Sequence, residues 1–179
     1  MKYNPDIHHR RSIRLKNYDY SSNGMYYVTL CTQDNAPLFG EAVGAAPCGR
    51  PATCVPNNAS QMITKWLKKT EDKFPNTRID KFVVMPKHIH FILCIQNGRA
   101  GRSGHAGPPL HTVVEWFKTM TTNEYIRGVK SDLFPPFNKR IWQRNYYERI
   151  IRGEIDYQHV WQYINENPAK WAEDEYFSN

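Results

Sequence analysis

The chain has 179 residues and a formal net charge of +7 at pH 7, with 24 lysines and arginines against 17 aspartates and glutamates. One domain of this length can bury about 70% of its unfolded surface, so its core needs no disulfide. The four cysteines form no CxxC pair, which argues against a structural zinc site. No apolar run reaches the length of a signal-peptide core or a membrane span, so we expect a cytoplasmic protein without a membrane segment.

The first segment of the chain is basic and has few apolar anchors. Residues 1–24 contain the run RRSIRLK and end in the turn signal SSNG. We therefore predict a basic N-terminal arm over 1–24 and a single domain over 25–179. The run MYYVTLCTQ, at 25–33, is rich in β-branched and aromatic residues and predicts the first strand.

Two loops rich in glycine and proline, 41–59 and 96–109, interrupt the domain and are expected to be flexible. Between them, SQMITKWLKKTEDKF predicts a helix capped by Asn58 or Ser60. The runs RIDKFVVMP and HIHFILCI then predict two strands joined by a tight connection.

The rest of the chain alternates helix, strand and helix. LHTVVEWFKTMTTNEYIRGV, at 110–129, predicts an amphipathic helix, and IWQRNYYERII predicts a strand or a strand and a turn. EIDYQHVWQYINEN predicts a last helix that Pro168 ends. The order β-α-β-β-α-β-α predicts an α+β fold, a ferredoxin-like split β-α-β sandwich with a central antiparallel sheet and an appended C-terminal helix.

Two histidines stand inside the apolar strand HIHFILCI. His88 and His90 are separated by one residue, so both imidazoles point to the same face of the sheet. In the split β-α-β topology this strand lies in the middle of the sheet. The pair is then either a structural pair or one side of a site that opens on a cleft.

A tyrosine and an amide share one face of the last helix. Tyr163 and Asn167 are four residues apart, and Glu166 lies close to the same face. Two imidazoles and a side-chain oxygen suit a divalent metal with open positions, and Mg2+ or Mn2+ suits a site that handles phosphate. A phenol beside such a metal is a candidate nucleophile toward a phosphodiester. The alternative is a tyrosine that packs on the sheet with its hydroxyl at the surface.

Basic and aromatic side chains alternate in the run KRIWQRNYYERIIR. Positive charges suit phosphates and flat rings suit bases, so the run favours nucleic acid, although a solvated basic surface would have the same composition. Tyr146 and Tyr147 lie here as rival nucleophiles, but neither has an oxygen ligand four residues further on.

Five blocks of the sequence together resemble the REP-associated tyrosine transposases, relatives of the single-tyrosine insertion-sequence transposases among the HUH nucleases. The blocks are RRSIRLKNYDYSSNGMYYVTLCTQ, MPKHIHFIL, WFKTMTTNEYI, WQRNYYERIIR and YINENPAKW, and they cover nearly all of the chain outside the two loops. The resemblance implies that His88, His90 and Asn167 bind the metal and that Tyr163 is the catalytic nucleophile. Asn167 stands where relatives often have glutamine, so Glu166 or water is the alternative third ligand.

The resemblance also implies an activity and a partner. The family cuts single-stranded DNA beside imperfect palindromic hairpins (REP elements), leaving a 5′-phosphotyrosine link and a free 3′-OH. Related transposases work as homodimers that exchange the tyrosine helix, which is one arrangement open to this chain. Candidate DNA contacts lie in the arm and in the basic run: Arg10, Arg11, Arg14, Lys16, Trp142, Arg144, Arg149 and Arg152.

Two other functions stay open from the sequence alone. One is a hairpin-binding protein that no longer cleaves DNA. The other is a metal-dependent phosphoesterase that uses water as its nucleophile and forms no covalent adduct.

Overall fold

The computed structural model describes residues 18–43, 53–96 and 108–171, which form six strands and three helices. The strands are β1 (Gly24–Cys31), β2 (Gly40–Val43), β3 (Thr53–Pro56), β4 (Thr77–Val84), β5 (His88–Ile95) and β6 (Tyr147–Ile151). The helices are α1 (Asn58–Lys73), α2 (Leu110–Lys130) and α3 (Gly153–Glu166).

Four strands form the central sheet in the order β4-β5-β1-β6, and every neighbouring pair is antiparallel. Strands β1 and β4 are joined through α1 but are separated in the sheet by β5, which is the split β-α-β arrangement. This order confirms the predicted fold class. It also confirms that the strand with both histidines is internal, and all eight of its residues are buried.

The two faces of the sheet are covered by different helices. Alternate residues of β1, including Val28 and Leu30, join the large core beneath α1 and α2. The opposite face carries a smaller apolar cluster that includes Ile92 of β5 and Val160 and Ile164 of α3. The last helix therefore packs on the free face of its own sheet, and the odd and even positions of β1 face different layers.

Polar contacts also hold α3 against the edge strand β4. The Tyr157 hydroxyl donates to Asp80, and the Lys81 amine donates to the Asn165 side chain at 2.8 Å. The same amine lies 4.0 Å from the centre of the Trp161 ring, a cation–π contact. These contacts determine where the helix that carries Tyr163 meets the sheet.

Three features differ from the sequence prediction or lie outside the described residues. The ends of the predicted loop 41–59 pair as the antiparallel hairpin β2–β3, because Gly40 to Val43 can complete the backbone hydrogen bonds of 53–56. The helix cap is Asn57, whose side chain accepts from the Ser60 amide, and not Asn58 or Ser60. Within the basic run, strand geometry is confined to β6 and an isolated bridge between Thr32 and Trp142.

The predicted division into an arm over 1–24 and a domain over 25–179 stays a prediction, because residues 1–17 lie outside the described residues. The same holds for most of the loop 96–109. In the described part of the chain, none of the helices has the length and apolarity to cross a membrane.

Candidate functional site

The two histidines lie side by side on the face of the sheet that α3 covers. Their ring centroids are 4.4 Å apart, and the exposed fractions of His88 and His90 are 0% and 1%. The same-face prediction from the strand period is thus confirmed. The pair sits beneath the helix that carries Tyr163, on the opposite side of the sheet from the core under α1 and α2.

His90 is held by two hydroxyl groups from β1. Its Nδ1 atom lies 2.8 Å from the hydroxyl of Tyr27 and 2.8 Å from the hydroxyl of Thr29. Its Nε2 atom is buried and has no hydrogen-bond partner among the described residues. Burial, and to a smaller extent the neighbouring His88, holds the pKa of His90 well below its usual value. The ring is therefore neutral at physiological pH, as a metal ligand must be.

Tyr163 reaches the histidine pair from α3. Its ring centroid lies 5.4 Å from that of His90 and 6.2 Å from that of Tyr27, to which it is perpendicular at 89°. The exposed fraction of its side chain is 45%. The tyrosine thus packs against His90 on one side and is accessible to solvent on the other.

Asn167 is the C-cap of α3, four residues after Tyr163. Its backbone N–H donates to the carbonyl of Tyr163 at 3.0 Å, and its side chain is 4% exposed. Glu166, the alternative ligand, instead accepts hydrogen bonds of 2.6 Å from both Gln162 and Lys170 at the surface. Asn167 is therefore buried, whereas the carboxylate of Glu166 is engaged at the surface.

The donor set fits a divalent metal, although it does not include a carboxylate. Among residues 18–43, 53–96 and 108–171, no group of three or more histidine, cysteine, aspartate or glutamate side chains is arranged to hold an ion. The candidate ligands are two imidazoles and an amide. The buried Nε2 of His90, in a ring kept neutral, is the observation that matches a metal ligand.

A cavity of about 340 Å³ opens beside the histidine pair and gives the route to it. His90 and Tyr163 both line the cavity, so a molecule bound inside it would contact the candidate metal-binding histidine and the candidate nucleophile together. The other lining residues come from β1, β6 and α3: Tyr27, Thr29, Tyr147, Arg149, His159 and Val160. The accessible side of the site is this cavity.

The opposite side of the pair is closed by an aromatic ring. Trp171, which follows α3, lies 5.8 Å from His88 between ring centroids and is 1% exposed. His88 is thus covered by the C-terminal segment, whereas His90 faces the cavity. The open side of the pair is therefore the side of His90.

The rival tyrosines are separated by the structure. Tyr147 lines the cavity, is 51% exposed and lies 6.1 Å from Tyr27 between ring centroids. Tyr146 is partly buried against the core under α1 and α2. Tyr147 is accordingly the competitor that a test of Tyr163 has to include.

The basic residues named from the sequence have different positions. Arg149 lines the cavity, and its guanidinium pairs with Asp156 of α3. Arg144 and Arg152 are exposed, whereas the four arm residues Arg10, Arg11, Arg14 and Lys16 lie outside the described residues.

Trp142 does not fit its predicted role. It is 4% exposed, its ring packs 5.2 Å from Phe39, and its Nε1–H donates to the Thr121 hydroxyl at 3.0 Å. A ring packed inside the core has no free face for a base. Core packing therefore accounts for Trp142.

Sequence reasoning missed Tyr27, Thr29 and His159 as site residues. Alternation along β1 places Tyr27 and Thr29 on one face, but the register that pairs Thr29 with His90 is seen only in the structure. The spacing of His159, one helical turn before Tyr163, places both on one face of α3 and could have been used.

The chain has a relative of nearly the same length, while no family model matches it. It is 33% identical over 189 residues to an uncharacterized protein of Haemophilus influenzae, and the match covers 98% of this chain and 97% of that protein. The chain belongs to the same family as the Haemophilus protein.

Among solved structures, the chain is similar to a REP-associated tyrosine transposase bound to a REP hairpin. The TM-score is 0.55 and the identity 19%, over 93% of this chain and 77% of the other. The fold of the chain is the fold of that transposase, as the sequence resemblance implied.

Proposed function

We propose that this protein is a metal-dependent transposase-like endonuclease and strand transferase that binds single-stranded DNA hairpins of the REP type. The observation that carries the proposal is the position of Tyr163, a half-exposed phenol at the wall of a cavity and 5.4 Å from the ring of the buried His90. The transposase fold supports the same class of reaction.

His88, His90 and Asn167 would hold Mg2+ or Mn2+, with His90 the one of the three that lines the cavity. When bound, the metal neutralises charge on the scissile phosphate and makes the phosphorus more electrophilic. The neutral ring of His90 keeps its lone pair available to bind the metal. The buried amide of Asn167 would offer an oxygen ligand that carries no negative charge.

The hydroxyl oxygen of Tyr163 would attack the phosphorus. A bond forms between the phosphorus and the tyrosine oxygen, and the bond from the phosphorus to the 3′ oxygen breaks. The phenol loses its proton in this step, and the departing 3′ oxygen takes up one proton. The products are a 5′-phosphotyrosine and a free 3′-OH. Because the phosphodiester energy is retained in the link, the reverse attack by a 3′-OH rejoins the strand.

The cavity suits a nucleotide of a single strand. Tyr147 offers an exposed aromatic face, and Arg149 adds a positive charge that Asp156 keeps in place. Arg144, Arg152 and the arm residues Arg10, Arg11, Arg14 and Lys16 would contact phosphates or bases of the adjacent DNA.

One chain carries all of the proposed machinery. The helix α3 packs on the sheet that contributes both histidines, so Tyr163 and the metal ligands meet without exchange of a helix between two copies. The proposed nucleophile accordingly acts on a metal held by its own chain, and a homodimer stays the alternative arrangement.

The test is covalent capture of DNA. Wild type, Tyr163→Phe and Tyr147→Phe are incubated with Mn2+ and labelled single-stranded hairpins with flanking sequence, and the adduct is resolved on a denaturing gel. We expect an adduct with wild type and with Tyr147→Phe, and none with Tyr163→Phe, which should still bind the DNA.

The other outcomes identify the alternatives. An adduct that persists in Tyr163→Phe and disappears in Tyr147→Phe assigns the nucleophile to Tyr147. Cleavage without any adduct indicates a phosphoesterase that uses water. Metal-independent hairpin binding without cleavage indicates a protein that recognises DNA only.

A further inference from the structure

Two neighbouring hydroxyl groups converge on the same nitrogen of His90. Tyr27 and Thr29 are two residues apart in β1 and so point to one face, and Thr29 is directly opposite His90 in the strand register. Both oxygens lie 2.8 Å from Nδ1. The two contacts are made on the side of the ring away from Nε2.

This arrangement favours one tautomer of the ring. An Nδ1–H can be shared between two oxygen acceptors in a three-centre bond, whereas a deprotonated Nδ1 has a single in-plane lone pair for one good donor. With the proton on Nδ1, the lone pair of the neutral ring is on Nε2. That atom is buried and has no hydrogen-bond partner in the described part of the chain.

Tyr27 makes a second kind of contact that Thr29 cannot make. Its ring is stacked on the ring of His90, with centroids 5.4 Å apart and planes 25° apart. Its edge-to-face contact with Tyr163, at 6.2 Å and 89°, is made by the same ring. One side chain therefore contacts both the candidate metal ligand and the candidate nucleophile.

We propose that Tyr27 is a positioning residue, an inference that rests on the function proposed above. Its hydroxyl holds His90 in the tautomer and orientation that present Nε2 to the metal, and its ring sets the place of Tyr163 beside that ligand. Partners that orient a ligating histidine typically contribute 10- to 100-fold to metal affinity.

The first experiment measures Mn2+ binding without DNA. Titration calorimetry on the full chain compares wild type with Tyr27→Phe, which retains the ring and removes the hydroxyl. We expect at least about a 10-fold loss of Mn2+ affinity. Tyr26→Phe is the matched control, because Tyr26 is the adjacent residue and its hydroxyl bonds to Tyr18 and Ser22 on the other face of the sheet. Its Mn2+ affinity should equal that of wild type.

The second experiment separates the hydroxyl from the ring. At saturating Mn2+, Tyr27→Phe should recover the wild-type rate of adduct formation, whereas Tyr27→Leu, which lacks the ring, should stay slow. Thr29→Val removes the other hydroxyl on Nδ1 and keeps the ring of Tyr27, so it should also lower the Mn2+ affinity but recover the wild-type rate of adduct formation at saturating Mn2+.

Two results overturn the inference: wild-type Mn2+ affinity in Tyr27→Phe, or a wild-type rate of adduct formation by Tyr27→Leu at saturating Mn2+. If wild type binds no Mn2+, the inference falls together with the metal site. If wild type binds Mn2+ but forms no adduct, the proposed function fails while the binding comparison still decides the role of Tyr27.

Discussion

The hydroxyl of Tyr157 on α3 donates a 2.6 Å hydrogen bond to the carboxylate of Asp80 on the edge strand β4. Asp80 also pairs with Arg78 at 2.6 Å, so the carboxylate is held from both sides. This contact attaches the first half of α3 to the sheet, and Tyr163 lies six residues further along the same helix. The position of the candidate nucleophile therefore depends partly on a contact outside the site.

Removal of this hydroxyl should loosen the helix. We expect Tyr157→Phe to lower the free energy of unfolding by about 1.5–3 kcal/mol, because a hydrogen bond to a charged group is lost while the ring packing is kept. Adduct formation by Tyr163 should slow at the same time. Urea denaturation measures the free energy of unfolding. The control is Tyr147→Phe, at an exposed position, which should leave that free energy unchanged.

The same variant makes a prediction about pH. The hydrogen bond to Asp80, together with burial, raises the pKa of Tyr157 to about 12, against about 10 for a free phenol. Between these values the folded protein retains a proton that the unfolded chain has released. The contribution of the Tyr157 hydroxyl to the free energy of unfolding is therefore complete below about pH 10 and is lost as the pH rises through about 12. The stability difference between wild type and Tyr157→Phe should shrink across this window, and a constant difference would contradict the assignment.

Arg149 should contribute to DNA binding through charge. It lines the cavity and stands on β6 beside Tyr147, so Arg149→Ala should weaken binding of a single-stranded oligonucleotide. Loss of one phosphate contact should also reduce the slope of log affinity against log salt by about one unit. Fluorescence anisotropy at several salt concentrations measures both. Arg127→Ala, on the exposed face of α2 across the sheet, should leave the slope unchanged.

Trp142 and Tyr147 should respond in opposite ways, although both belong to the basic aromatic run. Trp142→Phe removes a buried hydrogen bond to Thr121 and part of a buried ring, so it should lower the free energy of unfolding by about 1–3 kcal/mol and leave DNA affinity unchanged. Tyr147→Leu should leave stability unchanged and weaken DNA binding by about 1–3 kcal/mol through lost stacking. Weakened DNA binding by a folded Trp142→Phe protein would restore the sequence prediction for that residue.

Local pattern was sufficient for most of the elements. The run HIHFILCI predicted β5 with its boundaries, and the helical spacing of apolar residues predicted α1, α2 and α3 to within a few residues. The order of these elements led to the split β-α-β sheet, since short connections leave few ways to arrange them. The hairpin β2–β3 was missed because its strands are short and their residues have weak strand propensity.

The candidate site also has features that the sequence predicted and others that only the tertiary structure decided. Residue spacing by itself brought His88 and His90 to one face of a strand and Tyr163 and Asn167 to one face of a helix, because side-chain direction along a strand or helix follows from backbone geometry. Only the tertiary structure decided that the two faces meet, that Tyr27 and Thr29 hold His90, that Trp171 covers His88 and that Trp142 belongs to the core. These contacts join residues that are far apart in the chain. They are determined by strand register and helix packing, which a local sequence pattern does not encode.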